Sequence, residues 1–78
     1  MARLRLFGPL ADLAGVRAAE VGGVKVEDVL RDAARRFGEE FATLASASRI
    51  WVNGEPAALT TEVRADDEVA LLPPVSGG

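Results

Sequence analysis

Two glycines, Gly77 and Gly78, end the chain, and only Ser76 separates them from the apolar run of residues 69–75. Because glycine has no Cβ, nothing shields the last carbonyl from attack, and the pair fits a channel too narrow for other residues. Two terminal glycines would occur by chance in roughly 0.5% of chains. The pattern favours chemistry at the backbone carboxylate of Gly78, and the competing interpretation is a flexible tail without a role.

Two prolines, Pro73 and Pro74, stand before this ending. Each proline fixes its own φ near the polyproline value and biases the preceding residue away from the helical region. We therefore expect residues 73–78 to leave as an extended tail, with residues 1–72 forming one domain. Fully extended, the tail reaches about 20 Å, far enough to enter the active site of another protein.

The residue types that are missing limit the chemistry of the chain itself. It has no cysteine and no histidine, which excludes disulfides, zinc fingers, iron–sulfur ligation and thiol or imidazole catalysis within the chain. Ser46, Ser48 and Ser76 therefore have no histidine to activate them, and a nucleophilic triad is excluded as well. We expect no bound metal or cofactor, so that partners must supply any sulfur chemistry.

The charge balance limits the choice of partner. Twelve acidic residues against nine basic ones give a net charge of −3, which is the wrong sign for binding nucleic acid through its phosphates. An acidic surface suits a basic protein partner instead. Eight of the nine basic residues are arginine, and we interpret the only lysine, Lys25, as a surface residue at the entry to a helix.

The length of 78 residues suits one small domain. Its longest apolar run falls far short of the roughly 20 residues that cross a bilayer. The amino-terminal segment, residues 1–5, also lacks the apolar stretch of a signal peptide. We therefore expect a cytoplasmic protein with no membrane span.

The periodicity of the side chains predicts the elements that must position the tail. Residues 3–7 alternate charged and apolar side chains, which predicts a strand with its leucines facing a core. Gly8-Pro9 ends that strand, and a short helix follows as far as Gly15. Residues 16–21 form a weaker strand candidate, which we expect at a sheet edge.

The clearest helix covers residues 26–37, where the apolar residues recur at the period of an α-helix and form one stripe. Acidic residues in its first turn and arginines in its last turn match the helix dipole. Gly38 supplies the stop signal at its end. The ion pairs that the spacing predicts are Glu27 with Arg31 and Asp32 with Arg36.

The remaining pattern predicts one further helical turn over residues 39–45 and then three strands. Residues 50–52 form the first strand, and Asn53-Gly54 is a strong hairpin signal because both residues tolerate positive φ. The return arm, residues 55–58, is short and contains a proline, which favours a sheet edge. The last strand covers residues 68–72.

The predicted order is β-β-α-β-β-β, an α+β fold in which a mixed sheet packs on one main helix, with short extra helices. Such a sheet buries one face of its strands against the apolar stripe of the helix. The residues expected to form most of the core are Leu4, Leu6, Val29, Leu30, Ala33, Phe37, Ile50, Val52, Val69 and Leu71.

The order of elements and the ending of the chain resemble those of a known family. The ending Asp-Glu-Val-Ala-Leu-Leu-Pro-Pro-Val-Ser-Gly-Gly covers residues 67–78, and Arg-Leu-Phe-Gly-Pro-Leu-Ala-Asp-Leu-Ala-Gly covers residues 5–15. With the hairpin Val52-Asn53-Gly54, these segments resemble the small subunit of molybdopterin synthase, the MoaD family of ubiquitin-like sulfur carriers. The resemblance extends over nearly the whole chain and implies a β-grasp fold.

The resemblance implies a specific chemistry at Gly78. An adenylating, MoeB-like activating enzyme would use ATP to convert the carboxylate to an acyl adenylate, and sulfur from a sulfurtransferase would then displace AMP. The resulting thiocarboxylate would donate sulfur to precursor Z, the cyclic pyranopterin monophosphate, in a MoaE-like large subunit. The chain would thus be no enzyme on its own but the sulfur-donating subunit of a transferase.

Partner contact must come from a surface beside the tail. Phe7 and Leu72 are out of phase with the inward residues of their strands, so we predict an apolar docking patch around them, with Pro56 on the neighbouring arm. Trp51 is also out of phase, and for it a second small core cluster is an equal alternative. The resemblance adds the tail residues Pro73, Pro74, Val75, Ser76 and Gly77 to the contact surface.

The acidic run Asp66-Asp67-Glu68 has two interpretations. It forms a solvated turn before the last strand, which its composition favours, or it faces arginines of the activating enzyme. A metal site is disfavoured because adjacent side chains of a strand point in opposite directions and no other ligand types are available.

Other functions use the same tail. These are sulfur carriers for thiamine, cysteine or tRNA thiolation, and ubiquitin-like modifiers that form isopeptide bonds. The paired prolines favour molybdopterin synthesis, while the lone Lys25 weakens polymeric conjugation without excluding single attachment. A passive binding module is a different class, and in that case Gly78 would be dispensable.

Overall fold

The computed structural model describes residues 1–74. These residues form one five-stranded mixed sheet and three helices. The strands are β1 (Ala2–Leu6), β2 (Ala18–Val21), β3 (Arg49–Val52), β4 (Glu55–Pro56) and β5 (Glu68–Leu72). The helices are α1 (Pro9–Ala14), α2 (Val26–Phe37) and α3 (Glu39–Ser46).

The sheet has the strand order β2-β1-β5-β3-β4. Its two central strands, β1 and β5, run parallel, and every other pair is antiparallel. Both strands that the sequence placed at edges, β2 and β4, are edge strands, which confirms those predictions. The hairpin between β3 and β4 turns at Asn53 and Gly54, whose φ angles are 51° and 82°, as a two-residue hairpin with right-handed strand twist requires.

Helix α2 begins and ends where the apolar stripe predicted. Its buried residues are Val26, Val29 and Ala33, one face of the helix. Of the two predicted ion pairs, Asp32 with Arg36 forms, at 3.7 Å. The pair of Glu27 with Arg31 was wrong, because Arg31 instead binds Asp28 at 3.1 Å, a neighbour at the i,i+3 spacing that helices also bring together.

Helix α3 covers the predicted residues 39–45 and one further residue, Ser46. Gly38, with φ 98°, ends α2 and precedes α3, so that the chain changes direction without a connecting loop. The helix then buries Phe41, whose ring lies 5.1 Å from that of Phe37. Two aromatic rings at this separation pack favourably in a tilted arrangement.

The core lies between the sheet and the helices. The predicted core residues that are fully buried are Leu4, Leu6, Val29, Ala33, Val69 and Leu71, and those that are partly buried against them are Leu30, Phe37, Ile50 and Val52. The prediction omitted Val63, which lies in the segment between β4 and β5. Its backbone N–H donates to the Val24 carbonyl at 2.8 Å, so that a non-local pairing, which periodicity cannot reveal, carries it into the core. The other buried residues that the list omitted are Ala2, Leu10, Val21, Val26, Phe41 and Ala45.

Candidate docking face and root of the tail

One face of the sheet packs on the helices, and the opposite face carries the side chains that alternate with the buried ones. We call this second surface the open face; its residues are Arg3, Arg5, Phe7, Ala18, Glu20, Arg49, Trp51, Pro56, Glu68, Ala70 and Leu72. The arginines on it are exposed, and Trp51, Ala70 and Leu72 are half-buried. The fold thus leaves an apolar surface on the open side of the sheet.

The strand register brings the predicted docking residues to one end of this face. Leu6 lies opposite Leu71 in the parallel pair of β1 and β5, so the next residues, Phe7 and Leu72, stand side by side at the ends of their strands. Phe7 is 39% exposed. Phe7 and Leu72 are therefore neighbours at one end of the open face.

Trp51 belongs to the open face and not to a second core cluster. It lies opposite Ala70 of β5 on one side and opposite Pro56 of β4 on the other. Its strand neighbours Ile50 and Val52 pack against the core, and alternation turns Trp51 the opposite way. Trp51 therefore connects Pro56 to the patch, a link that depends on pairing between strands distant in sequence.

Arginines surround the apolar patch, although the chain as a whole is acidic. The guanidinium of Arg5 lies 5.7 Å from the centre of the Phe7 ring, within the range of a cation–π interaction. Arg5 also approaches Glu68 at 3.7 Å, and Arg49 stands opposite Leu72 in the pairing of β3 with β5. On the open face Arg3, Arg5 and Arg49 stand against Glu20 and Glu68, which gives this face a net charge of +1. The net charge of −3 of the whole chain therefore does not describe it. Alternation along β1 was the signal that could have placed Arg5 beside Phe7.

The tail begins beside the junction of β1 and α1. Gly8 occupies that junction with φ 54° and ψ −131°, and a Cβ built on it would lie 3.6 Å from Cγ of Pro73. Pro73 is half-buried there and Pro74 is exposed. The chain thus leaves the sheet at the same end as Phe7 and Leu72. The predictions for Val75, Ser76, Gly77 and Gly78 lie outside the described residues.

The acidic run before β5 forms a turn that side-chain hydrogen bonds stabilise, in agreement with the turn interpretation. The carboxylate of Asp67 accepts hydrogen bonds from the Arg64 N–H at 2.8 Å and from the Asn53 amide at 2.9 Å. The hydrogen bond from the Arg64 backbone, followed by that from Asn53, holds the pKa of Asp67 below its usual value. This network joins the hairpin turn to the start of β5, so that Asp67 is a structural residue.

The structure limits two further classes of site. Within residues 1–74, no three acidic side chains are placed so that they could hold a metal ion together. In the same part of the chain, no helix has the length and apolar character needed to cross a membrane.

Known proteins share this arrangement. The sequence pattern of the ThiS family matches residues 4–78. Small archaeal modifier protein 1 of Haloferax volcanii is 41% identical over 95% of this chain and 97% of its own length. The solution structure of small archaeal modifier protein 1 from Methanosarcina acetivorans superimposes with a TM-score of 0.88, at 26% identity over 99% of this chain and 95% of that one.

A second structure carries a different name. The protein assigned as molybdopterin converting factor subunit 1 of Pyrococcus furiosus superimposes with a TM-score of 0.82, at 26% identity over 95% of this chain and 97% of that one. The fold is therefore the α+β β-grasp fold of ubiquitin-like proteins, as predicted. The chain belongs to the ThiS family, the MoaD-like and ThiS-like class of ubiquitin-like sulfur carriers and modifiers.

Proposed function

We propose that this protein is the sulfur-donating small subunit of a molybdopterin synthase. The observation that carries the proposal is the position of the apolar patch of Phe7 and Leu72 at the root of a tail that ends in Gly77 and Gly78. A partner that binds this patch receives the tail at the same place. The similarity to molybdopterin converting factor subunit 1 of Pyrococcus furiosus supports the same assignment.

The chemistry begins with activation of Gly78. A carboxylate is a poor electrophile because its negative charge is spread over both oxygens. An activating enzyme therefore joins it to the α-phosphate of ATP, which forms the acyl adenylate and releases pyrophosphate. Sulfur held by a sulfurtransferase then attacks the carbonyl carbon and AMP leaves. The attacking atom is the outer sulfur of a persulfide on the sulfurtransferase, so the first product is an acyl disulfide. A thiol reductant then attacks the donor sulfur of its S–S bond and forms a disulfide with it, which leaves Gly78 with a thiocarboxylate.

The second stage delivers this sulfur. The thiocarboxylate sulfur is nucleophilic and attacks the pyranopterin monophosphate held in the large subunit, and hydrolysis returns the carboxylate of Gly78. The role of this chain is to position the sulfur. The domain docks on the partner, and a tail of six residues, at most about 20 Å long, carries the sulfur into the partner's site. Catalysis and substrate binding belong to the large subunit.

The open face supplies the docking energy in this proposal. Phe7, Leu72 and Trp51 provide apolar area, and interfaces concentrate their binding energy in such central, desolvated side chains. Arg5 and Arg49 surround this area and would pair with carboxylates of the partner. Charged groups at the rim increase the rate and specificity of association more than its strength.

Intact mass spectrometry tests the proposal. The protein is incubated with its activating enzyme, ATP and a sulfur source, and we expect one oxygen of the terminal carboxyl group to be replaced by sulfur. Adding the large subunit and the pterin precursor should then return the original mass and yield molybdopterin. A chain that lacks Gly77 and Gly78 serves as the control and should show neither change.

Two results would contradict the proposal. Full sulfur transfer by the truncated chain would show that the terminal glycines are dispensable, as in a passive binding module. A thiocarboxylate that forms but transfers no sulfur to the pterin would instead point to another acceptor, such as the thiamine, cysteine or tRNA thiolation pathways.

Protein modification is the second candidate function. It is favoured by the 41% identity to small archaeal modifier protein 1 of Haloferax volcanii. Both functions use the same acyl adenylate, and the nucleophile decides between them: sulfur gives a carrier, and an amine of another protein gives an amide. Mass spectrometry of proteins from cells that produce this chain distinguishes the two, because a modifier leaves its carboxyl-terminal segment on lysines.

A further inference from the structure

We propose that Lys25 is the attachment site for a second copy of this chain, through an amide bond between its ε-amine and the Gly78 carboxyl group of that copy. The proposal rests on the activation of Gly78 described above. It goes further by assigning the acceptor atom, which no similarity to a known protein supplies.

The chain has a single side-chain amine. The sequence has no cysteine, and Lys25 is its only lysine. The eight arginines do not compete, because a guanidinium stays protonated and has no free electron pair for attack. An activated Gly78 of this protein therefore meets a single side-chain amine on another copy.

Lys25 lies toward the end of the sheet opposite to the root of the tail. Ala2, at the start of β1, pairs with Val21 at the end of β2, and Lys25 follows four residues later. The tail leaves beside Phe7 and Leu72, at the other end of β1. Strand β1 alone separates the two ends by about 13 Å, and the prolines at the root favour a tail that extends outward. This arrangement favours a bond between two copies over a bond between Gly78 and Lys25 of the same copy.

The amine of Lys25 is accessible. Lys25 is exposed and directly precedes α2. Among residues 1–74 its ammonium forms no ion pair within 4.0 Å, and the nearby carboxylate of Asp28 binds Arg31 and the backbone N–H of Lys25 instead. No bond within this part of the chain therefore has to break before the amine can react.

Two exposed apolar residues, Val24 and Leu59, lie near the lysine. Val24 is 69% exposed and Leu59 is 52% exposed. Backbone hydrogen bonds keep both at this site: the Val63 N–H donates to the Val24 carbonyl at 2.8 Å, and the Glu27 N–H donates to the Leu59 carbonyl at 3.0 Å. Both residues therefore lie beside the start of α2, and their exposed side chains are available to the apolar tail residues that precede Gly78.

The turn before Lys25 is specified by glycine. Gly23 has φ 146°, and a Cβ built on it would lie 2.8 Å from the backbone nitrogen of Val29. Contacts this short do not occur between real atoms, so only glycine lets residues 22–25 pack so closely on the start of α2. The lysine is consequently presented from a rigid turn.

The reaction balances without a further reagent. The neutral amine of Lys25 attacks the carbonyl carbon of the acyl adenylate on the second copy. A C–N bond forms, the C–O bond to the phosphate breaks, AMP leaves with its electron pair, and the amine loses a proton to solvent. The product is two chains joined with the loss of one water.

A crossed pair of variants tests the proposal. The donor is Lys25→Arg, which keeps its Gly78 and its charge but has no side-chain amine; the acceptor lacks Gly77 and Gly78 but keeps Lys25. Both are incubated with the activating enzyme and ATP without a sulfur source. We expect an adduct of one donor and one acceptor, in which trypsin leaves residues 65–78 of the donor attached to Lys25 of the acceptor.

The matched control is an acceptor that also carries Lys25→Arg, and its adduct should fall at least tenfold. A double acceptor variant, Val24→Ser with Leu59→Ser, should form the adduct at least threefold more slowly. Circular dichroism confirms that each variant is folded.

Trapping with hydroxylamine separates the two proposals. A donor that yields the hydroxamate of Gly78 but no adduct at Lys25 would overturn the attachment site and leave the activation of Gly78 standing. An adduct that persists in the Lys25→Arg acceptor would overturn it too. A donor that yields no hydroxamate would overturn the proposed activation, and the attachment site with it.

Discussion

At the scale of single residues, the docking patch combines apolar contact with positive charge. Phe7 and Leu72 supply the apolar part, and Arg5 holds its guanidinium over the Phe7 ring. This contact orients Arg5 along the open face, because a cation is attracted to the negative face of an aromatic ring. A single substitution in the patch should therefore affect partner binding much more than folding.

Leu72→Asp should weaken binding to the large subunit at least 30-fold. This factor corresponds to about 2 kcal/mol, the loss typical of a central interface residue. Affinity can be measured by calorimetry with the purified partner. Leu59→Asp, outside the open face and beside the start of α2, is the matched control and should bind normally. Equal affinities of the two variants would remove the patch from the interface.

Gly8→Ala should destabilise the protein by about 1–3 kcal/mol. Gly8 has φ 54° and ψ −131°, a conformation that residues with a Cβ adopt only under strain. Urea unfolding measures the effect. Gly22→Ala is the control, since no positive φ and no neighbouring atom within 4 Å opposes a Cβ there, and it should change stability by less than about 0.5 kcal/mol. Similar stability of the two variants would argue against strain at Gly8.

At the scale of elements, a side-chain network holds the β3–β4 hairpin to β5. The Asn53 carbonyl oxygen accepts the Glu68 N–H at 2.9 Å, while the Asn53 amide donates to Asp67. The backbone N–H of Asn53 also donates to the Glu68 carbonyl at 2.9 Å. The hairpin that carries Pro56 is thereby fixed relative to the strand that carries Leu72.

Asp67→Asn should lower stability at neutral pH and have little effect in acid. Because folding lowers the pKa of Asp67 below 3.8, its carboxylate stabilises the native state above about pH 3.8, and this contribution disappears as the pH falls through the lower, folded value. Urea unfolding at pH 7 and near pH 2 should show a difference that shrinks in acid. Asp66→Asn is the control, since Asp66 accepts no hydrogen bond within residues 1–74. A pH-independent difference would show that the charge of Asp67 does not matter.

At the scale of the whole molecule, the folded domain and the reactive group are separate in the sequence. The buried core of the described chain is built from residues 2–71, and the proposed chemistry takes place at Gly78. A domain of this kind can present its terminus to different partners without changing its own packing. The same separation makes folding and function independently measurable.

Deleting residues 75–78 should change the free energy of unfolding by less than about 0.5 kcal/mol while abolishing thiocarboxylate formation. Thermal and urea unfolding measure the first quantity and intact mass the second. Leu4→Ala is the contrasting variant: Leu4 is fully buried, and its truncation should cost about 2–5 kcal/mol. A large loss of stability in the deleted chain would show that the tail belongs to the fold.

Local patterns in the sequence predicted most of the secondary structure, and they pointed to the carboxyl terminus as the candidate reactive group. The stripe from Val26 to Phe37 predicted α2 with its bounds, and alternation predicted β1 and β5, because both periodicities follow from backbone geometry alone. The resemblance carried by the tail gave the family, which the comparisons confirm. The bounds of α3 were also predicted to within one residue.

The tertiary structure alone decided which side chains share a surface. The register between distant strands places Trp51 between Ala70 and Pro56 and brings Arg49 beside Leu72, and a pattern within one strand holds no information about its neighbour. Packing also placed the positive charge on the open face and Lys25 at the far end. The proposed partner recognition depends on this arrangement in space, whereas the proposed reactive carboxylate belongs to the single residue Gly78.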